Sequence, residues 1–243
     1  MIVALFNVEW SEYAPALRDG LIKTLEFTVA GFVGAALLGL LLALMRLSPL
    51  RAMRLPAAVY TELFKNVPLL AIIFLTYFGL VSVGVRLSVF QAGTLSLVLF
   101  YGSYLSEIFR AAIAGVHGGQ QEAAEALGLS RGVTFAHVVF PQALRQALPG
   151  TNTMLVDLLK STSLLVTISA AELMSQGFLI ASETFRALEV YAVIAVIYFA
   201  VCYPLSQALL WFERQVVGGV PLLPRRRRRM RAVRGLLEQE VVA

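Results

Sequence analysis

Charge is scarce in this sequence. Asp, Glu, Lys and Arg make up only 14% of the 243 residues, against roughly 25% in an ordinary soluble domain. Mean hydropathy is +0.77, which excludes a water-soluble globule as the whole of the molecule. Cysteine is almost absent. Cys202 stands alone inside an apolar run, so neither a disulfide framework nor a cysteine-based metal cluster is available. Histidine is limited to His117 and His137, each without a partnering motif. No catalytic constellation, metal site or cofactor site is therefore expected. The chain also lacks any Gly-x-x-x-x-Gly-Lys-Ser/Thr stretch, so nucleotide chemistry would have to come from another protein. The apolar start Met1–Phe6 has no basic segment before it and is too short for a signal core, so no cleaved leader is expected.

Long uncharged windows take the place of the missing charge. Phe27–Met45, Asn66–Val85, Leu87–Ser106 and Val190–Phe212 contain no Asp, Glu, Lys or Arg. Each is close to the ~20 residues a helix needs to cross ~30 Å of hydrocarbon. A further window, Ser161–Ser182, qualifies once Glu172 is tolerated. Strands of a membrane barrel would be about half as long and alternating. The expected architecture is an all-α integral membrane protein with five transmembrane helices.

The spans are expected over Thr24–Leu47, from about Pro56 to Val85 with a kink or helix start at Pro68, Leu87–Ala114, Ser161–Ser182 and Glu189–Arg214. Residues 1–23 read as an external amphipathic lead and 24–220 as the membrane domain. Residues 221–243 read as a basic tail suited to an anionic leaflet rather than to nucleic acid. The seven arginines of that tail, set against Glu238 and Glu240, account for the whole net charge of +5. Gly31, Ala35 and Gly39 recur at four-residue steps and mark a packing face. Glu107 and Arg110, three apart, form a structural pair. With five spans, Arg46, Arg51, Arg54, Arg131, Arg145 and the tail fall on one side. The positive-inside rule then puts the N-terminus outside and the C-terminus in the cytoplasm.

An ionisable side chain at mid-membrane is expensive and should face the bundle interior, a partner or a water-filled path. Asp157 and Lys160 share a face at the head of the fourth span. Ser161, Leu165, Ser169, Glu172 and Gln176 recur at three- and four-residue steps as a polar seam. Glu172 has two equal readings, a pathway residue or a packing carboxylate. Between the third and fourth spans the sequence turns polar, over about residues 116–150. There Ala123, Ala124 and Leu127 form an apolar knob between Glu122 and Glu125, and Gly128 ends the helix. Ser130 caps a second short helix, expected to stop at Pro141, and Pro149-Gly150 closes the loop. Such an element is suited to docking in a groove of another protein.

The spacing Glu122-Ala123-Ala124, Gly128, Val138, Phe140, Pro141 resembles the signature loop of binding-protein-dependent ABC importer permeases. The likeness extends to the polar amino-acid branch of that family through Gly20-x-x-x-Thr24-Leu25, Arg46-Leu47-Ser48, Tyr60-x-Glu62 with Pro68-Leu69-Leu70, and Lys160 to Leu164. Lys65 stands where the family usually has Arg, Ser161 where it often has Asp, and Thr153 where it often has Asn. Asp157 is an added acid. The resemblance implies a permease that pairs with itself or a sister subunit in a bacterial or archaeal cytoplasmic membrane. It also implies a polar amino acid delivered by an extracytoplasmic binding protein, and two ATP-binding cassette ATPase subunits that hydrolyse ATP. These ATPases would dock on Gly119, Glu122, Ala123, Ala124, Leu127, Gly128 and Pro141. Thr153, Asp157, Lys160, Ser161 and Glu172 would be candidates for the substrate path. Two other classes compete: an ion-coupled secondary transporter using Glu107, Asp157, Lys160 and Glu172, and a membrane scaffold recruiting a cytosolic partner.

Overall fold

The computed structural model describes residues 9–217. The basic tail 221–243 and the start of the N-terminal lead lie outside the described residues. Everything regular among the described residues is helical. In chain order the elements are α1 (Trp10–Leu47), α2 (Arg51–Asn66), α3 (Leu69–Ser82), α4 (Val89–Ala114), α5 (Gly118–Ala126), α6 (Arg131–Ile168), α7 (Leu173–Thr184) and α8 (Ala187–Val217). Three of these, α1, α4 and α8, are long and apolar enough to cross a membrane. The pairs α2–α3 and α6–α7, bent by 107° and 49°, raise the number to five if each pair is one span.

Small residues inside and large ones outside organise α1. Gly20, Thr24, Phe27, Thr28, Gly31, Ala35, Gly39 and Leu42 are buried along one face. Val29, Val33, Leu37, Leu41 and Leu44 stand exposed on the other. In hydrocarbon, apolar bulk gains nothing from burial against protein, whereas close backbone approach gains dispersion contacts, so the small stripe faces inward. The expected Gly31, Ala35, Gly39 face is this one, and it packs on α4. A Cβ added at Gly39 would lie 2.8 Å from Leu105 Cβ and 3.0 Å from the Ser106 nitrogen. Gly31 meets Leu97 and Gly39 meets Leu105, so α1 and α4 run parallel.

The expected boundary at residue 23 is not a break. Helix α1 runs 38 residues from Trp10 through Pro15, roughly 57 Å at 1.5 Å per residue. Pro15, in the second turn, costs α1 only the one bond that an N–H there would give to the Ser11 carbonyl, and the helix runs on through it. The third span matches its expected window closely, because Ser88 and Gln91 close a capping box at the start of α4.

The second expected span is two helices, α2 and α3, set at 107° to one another. Pro68 opens α3 after the 107° turn, because a residue before proline is driven out of the α-region. The Lys65 carbonyl at the end of α2 accepts from the Tyr104 hydroxyl at 3.2 Å, and the Asn66 side-chain amide folds back onto the Glu62 carbonyl at 2.7 Å.

The fourth span departs most from expectation. Pro141 does not stop a helix and Pro149 does not close a loop. Helix α6 passes through both and begins twenty or more residues before the expected Ser161, near Arg131. A wide π-turn at Phe135–Val139 precedes Pro141 and loosens the turn into which the proline ring would otherwise clash. The helix tightens to 3₁₀ over Thr162–Ile168 and breaks at Ser169, which is left-handed at φ 57°. The seam from Ser161 to Gln176 is therefore not one helical face.

Glu172 sits inside that break, fully buried, and caps α7. It accepts from the backbone N–H of Met174 (2.9 Å) and Ser175 (2.7 Å), from the Ser175 hydroxyl (2.9 Å) and from the Tyr198 hydroxyl of α8 (3.0 Å). Thr24 of α1 accepts from the Leu173 N–H at 3.1 Å. Gly20 admits this approach, since a Cβ there would meet Gln176 Cγ at 2.7 Å and Leu173 Cα at 3.1 Å. The packing reading of Glu172 is the one its geometry fits. The fifth expected span, α8, continues unbroken through Pro204.

Two outcomes follow. Gly39→Val should lose about 1–3 kcal/mol by overpacking against backbone, lowering the temperature at which detergent-solubilised protein aggregates. Gly132→Ala, with open space around it, should leave that temperature unchanged. Glu172→Ala should destabilise the fold by about 2 kcal/mol or more, the loss of a buried cap, with Tyr198→Phe costing less. A Glu172→Ala protein of wild-type thermal stability would contradict this structural role.

Candidate functional site

Two polar regions interrupt the apolar bundle. The first is the segment between α4 and α6. His117 Nδ1 accepts from the Gly119 N–H at 3.3 Å and starts α5. Its end is a Schellman motif. The Gly128 N–H donates to the Glu125 carbonyl (2.9 Å) and the Leu129 N–H to that of Ala124 (3.1 Å), with Gly128 at φ +75°. Nothing lies within 4 Å of a Cβ placed at Gly128. Glycine is therefore required there by backbone conformation, not by space.

The apolar knob divides. Ala124 alone is buried, turned toward the rest of the chain, while Ala123 is exposed and Leu127 is 79% exposed. Glu122, Glu125 and Gly119 are exposed beside them. Pro141, also exposed, sits on α6 after the π-turn rather than at the end of a docking helix. The outward surface is thus Ala123 and Leu127 flanked by carboxylates.

At the same end of the bundle, Glu107 accepts from Arg110 and from Arg46 of α1. The expected pair is a triad of two guanidinium groups on one carboxylate, and it ties the end of α1 to α4. Sequence reasoning used Arg46 for orientation and missed this contact. Its position within Arg46-Leu47-Ser48 was the available signal.

The second region is a cavity of about 400 Å³ between α6 and α8, lined by Asn152, Thr153, Asp157, Lys160, Ser206 and Glu213 among others. Three expected pathway residues, Thr153, Asp157 and Lys160, meet there. Asp157 Oδ1 lies 3.7 Å from Lys160 Nζ, both side chains about half exposed. The Asn152 amide lies 3.5 Å from Glu213 and from the Leu209 carbonyl. Thr153 is tied to its own helix by a bond to the Pro149 carbonyl at 3.0 Å. Ser161 lies behind the cavity, 2.7 Å from the Tyr101 hydroxyl, and Tyr101 also reaches Asp157 Oδ2 at 2.9 Å. Glu172 lies elsewhere, at the head of α7. Asn152, Glu213 and Tyr101 were missed. A tyrosine inside a window with no charge was the one visible sign of the last. Among the described residues no three His, Cys, Asp or Glu side chains converge on a point that a metal ion could occupy.

Comparison with known proteins gives this geometry its context. The chain is 33% identical over 198 residues to the probable glutamine ABC transporter permease protein GlnM of Bacillus subtilis (strain 168), covering 82% of this chain and 92% of that one. It is 34% identical over 213 residues to the glutamine transport system permease protein GlnP of Escherichia coli (strain K12), covering 86% and 97%. A chain from the crystal structure of an amino acid ABC transporter with histidines superposes with a TM-score of 0.79 at 35% identity. That match covers 85% of this chain and 96% of the other. Residues 35–218 match the family described as binding-protein-dependent transport system inner membrane component, and the chain belongs to that family.

Proposed function

We propose that this chain is the membrane-spanning permease subunit of an ATP-driven importer carrying a polar amino acid, with ATP hydrolysed by separate subunits. Family membership and the amino-acid and glutamine transporters among its relatives support the reading. The single observation that carries its mechanism is the capped helix α5, which holds Leu127 and Ala123 outward, exposed among the described residues. Two ATP-binding cassette subunits dock on that surface, each copy of α5 entering a cleft. A second permease subunit, identical or a sister, completes the bundle, and an extracytoplasmic binding protein delivers the cargo.

Each bent pair is one span in this reading, giving five, with the N-terminus outside and the C-terminus in the cytoplasm of a bacterial inner membrane. Supporting it, α1, α4 and α8 run in one direction while α2–α3 and α6–α7 return against them. The ends carrying Leu47, Ala114 and Glu213 then share the side on which α5 and the basic residues Arg46, Arg51, Arg54, Arg131 and Arg145 lie. Thr153, Asp157 and Lys160 line the path. The ion-coupled alternative loses two of its acids, since Glu172 is sealed in a cap and Glu107 is held between two arginines.

Because Gly128 is needed for its positive φ, Gly128→Ala should lower uptake in proteoliposomes about as much as Gly128→Val. The strain of a left-handed residue is roughly 1–2 kcal/mol in both cases, and Gly128→Asn should lose less. Insertion should be unaffected in all three. Leu127→Asp should weaken co-purification of the ATPase by about tenfold or more, the loss of one large apolar side chain from a contact. Uptake that survives these changes and proceeds without an ATPase would overturn the importer reading.

A further inference from the structure

We propose that Tyr101 is a positioning residue for the cavity between α6 and α8: from α4 it fixes Asp157 so that one carboxylate oxygen stays available to a cationic or ammonium group of the cargo. The proposal rests on the reading that Asp157 lines the path.

Tyr101 is 1% exposed and belongs to the central apolar cluster with Leu97, Leu105 and Leu158. A buried phenol is satisfied only if its hydroxyl has partners. Here it has two, Asp157 Oδ2 at 2.9 Å and Ser161 Oγ at 2.7 Å, one helical turn apart on the same face of α6. The phenol carries one proton, and an ionised carboxylate can only accept. The tyrosine proton therefore points to Asp157, and the Ser161 hydroxyl donates to the tyrosine oxygen. Hydrogen bonds chained in this way strengthen one another in a low-dielectric interior.

The two oxygens of Asp157 are consequently unlike. Oδ2 is held from behind by a rigid buried ring. Oδ1 faces Lys160 across 3.7 Å, beyond hydrogen-bond length. Lys160 is close enough to balance the charge of Asp157 and too far to lock it. An entering ammonium group can take its place on Oδ1, while the Lys160 head turns to a carboxylate of the same cargo. Without the Tyr101 hydroxyl, the carboxylate is free to rotate onto Lys160 and close the pair against cargo. Ser161 contributes from the second position, which explains why a hydroxyl at 161 and an acid at 157 occur together in this chain.

The test uses the complete transporter, with ATPase and binding protein, in proteoliposomes. A panel of labelled amino acids identifies those that the wild-type complex carries, and these serve as probes. Tyr101→Phe keeps the ring and its packing. It should lower the amino acid moved per ATP hydrolysed by about fivefold to tenfold, the scale of one hydrogen bond to a half-exposed carboxylate. ATPase activity stimulated by the binding protein should be kept. Asp157→Asn should do the same, and the double variant should be no worse than either single one. Ser161→Ala, a gentler change should Tyr101→Phe fail to assemble, should give a smaller loss that vanishes in the Asp157→Asn background. Uptake and ATPase falling in proportion in Tyr101→Phe would overturn the proposal, as would losses that multiply in the double variant or a Tyr101→Phe complex with unchanged uptake beside an impaired Asp157→Asn. An Asp157→Asn complex with unchanged uptake would instead remove Asp157 from the path, and the proposal with it.

Discussion

A break in a helix within hydrocarbon leaves N–H and C=O groups with no water to turn to, each costing several kcal/mol unless the protein answers it. This chain bends sharply between α2 and α3 and between α6 and α7, and much of its polar chemistry gathers at those two breaks. At the turn into α3, the Tyr104 hydroxyl takes up the Lys65 carbonyl, and Pro68 has no N–H that needs an acceptor. At the head of α7 the Glu172 carboxylate gathers two backbone N–H groups and two hydroxyls, and Thr24 receives the N–H of Leu173. Both solutions depend on neighbouring helices, so local backbone geometry and bundle packing are one problem. Helix α1 has the largest share in solving it. Its Gly20 and Thr24 seat α7, its small stripe seats α4, and its Arg46 closes on Glu107.

The course of α6 links the two polar regions. Since Pro141 and Pro149 bend nothing off the bundle, the segment from Arg131 to Ser161 is one helical rod, roughly 45 Å long at 1.5 Å per residue. Helix α5 packs against the start of that rod, with Ala124 buried, while Thr153, Asp157 and Lys160 ride near its far end. Under the proposed function, a push received at Ala123 and Leu127 has a continuous helical path to the cavity. The Schellman turn at Gly128 is the stiff corner through which it passes.

Much of this could be read from residues. The expected spans Leu87–Ala114 and Glu189–Arg214 found α4 and α8 to within about three positions, and the four-residue step of Gly31, Ala35 and Gly39 found the buried face of α1. Gly128 announced the end of α5, and Glu107 with Arg110 announced an ion pair. The misreadings share one cause. Prolines at 141 and 149 look like stops, but a π-turn upstream and a membrane setting make both tolerable within α6. A three-and-four spacing through Glu172 looks like one face, but the helix breaks at Ser169 because Thr24, 149 residues before Leu173 in sequence, and Tyr198 wait to satisfy the exposed groups. Partners so distant leave no local trace. Tyr101 was hidden similarly: within an apolar window its ring was legible as core, and only the return of α6 gives its hydroxyl a role.

The division of the α5 knob into an inward Ala124 and an outward Ala123 and Leu127 is the point on which the whole account of coupling turns. With Cys202 replaced by Ser, single cysteines at 123, 124 and 127 can each carry a benzophenone cross-linker in the assembled transporter. The account predicts strong cross-links to the ATPase from positions 123 and 127 and little from 124. Equal yields from all three positions, or none from 127, would contradict it.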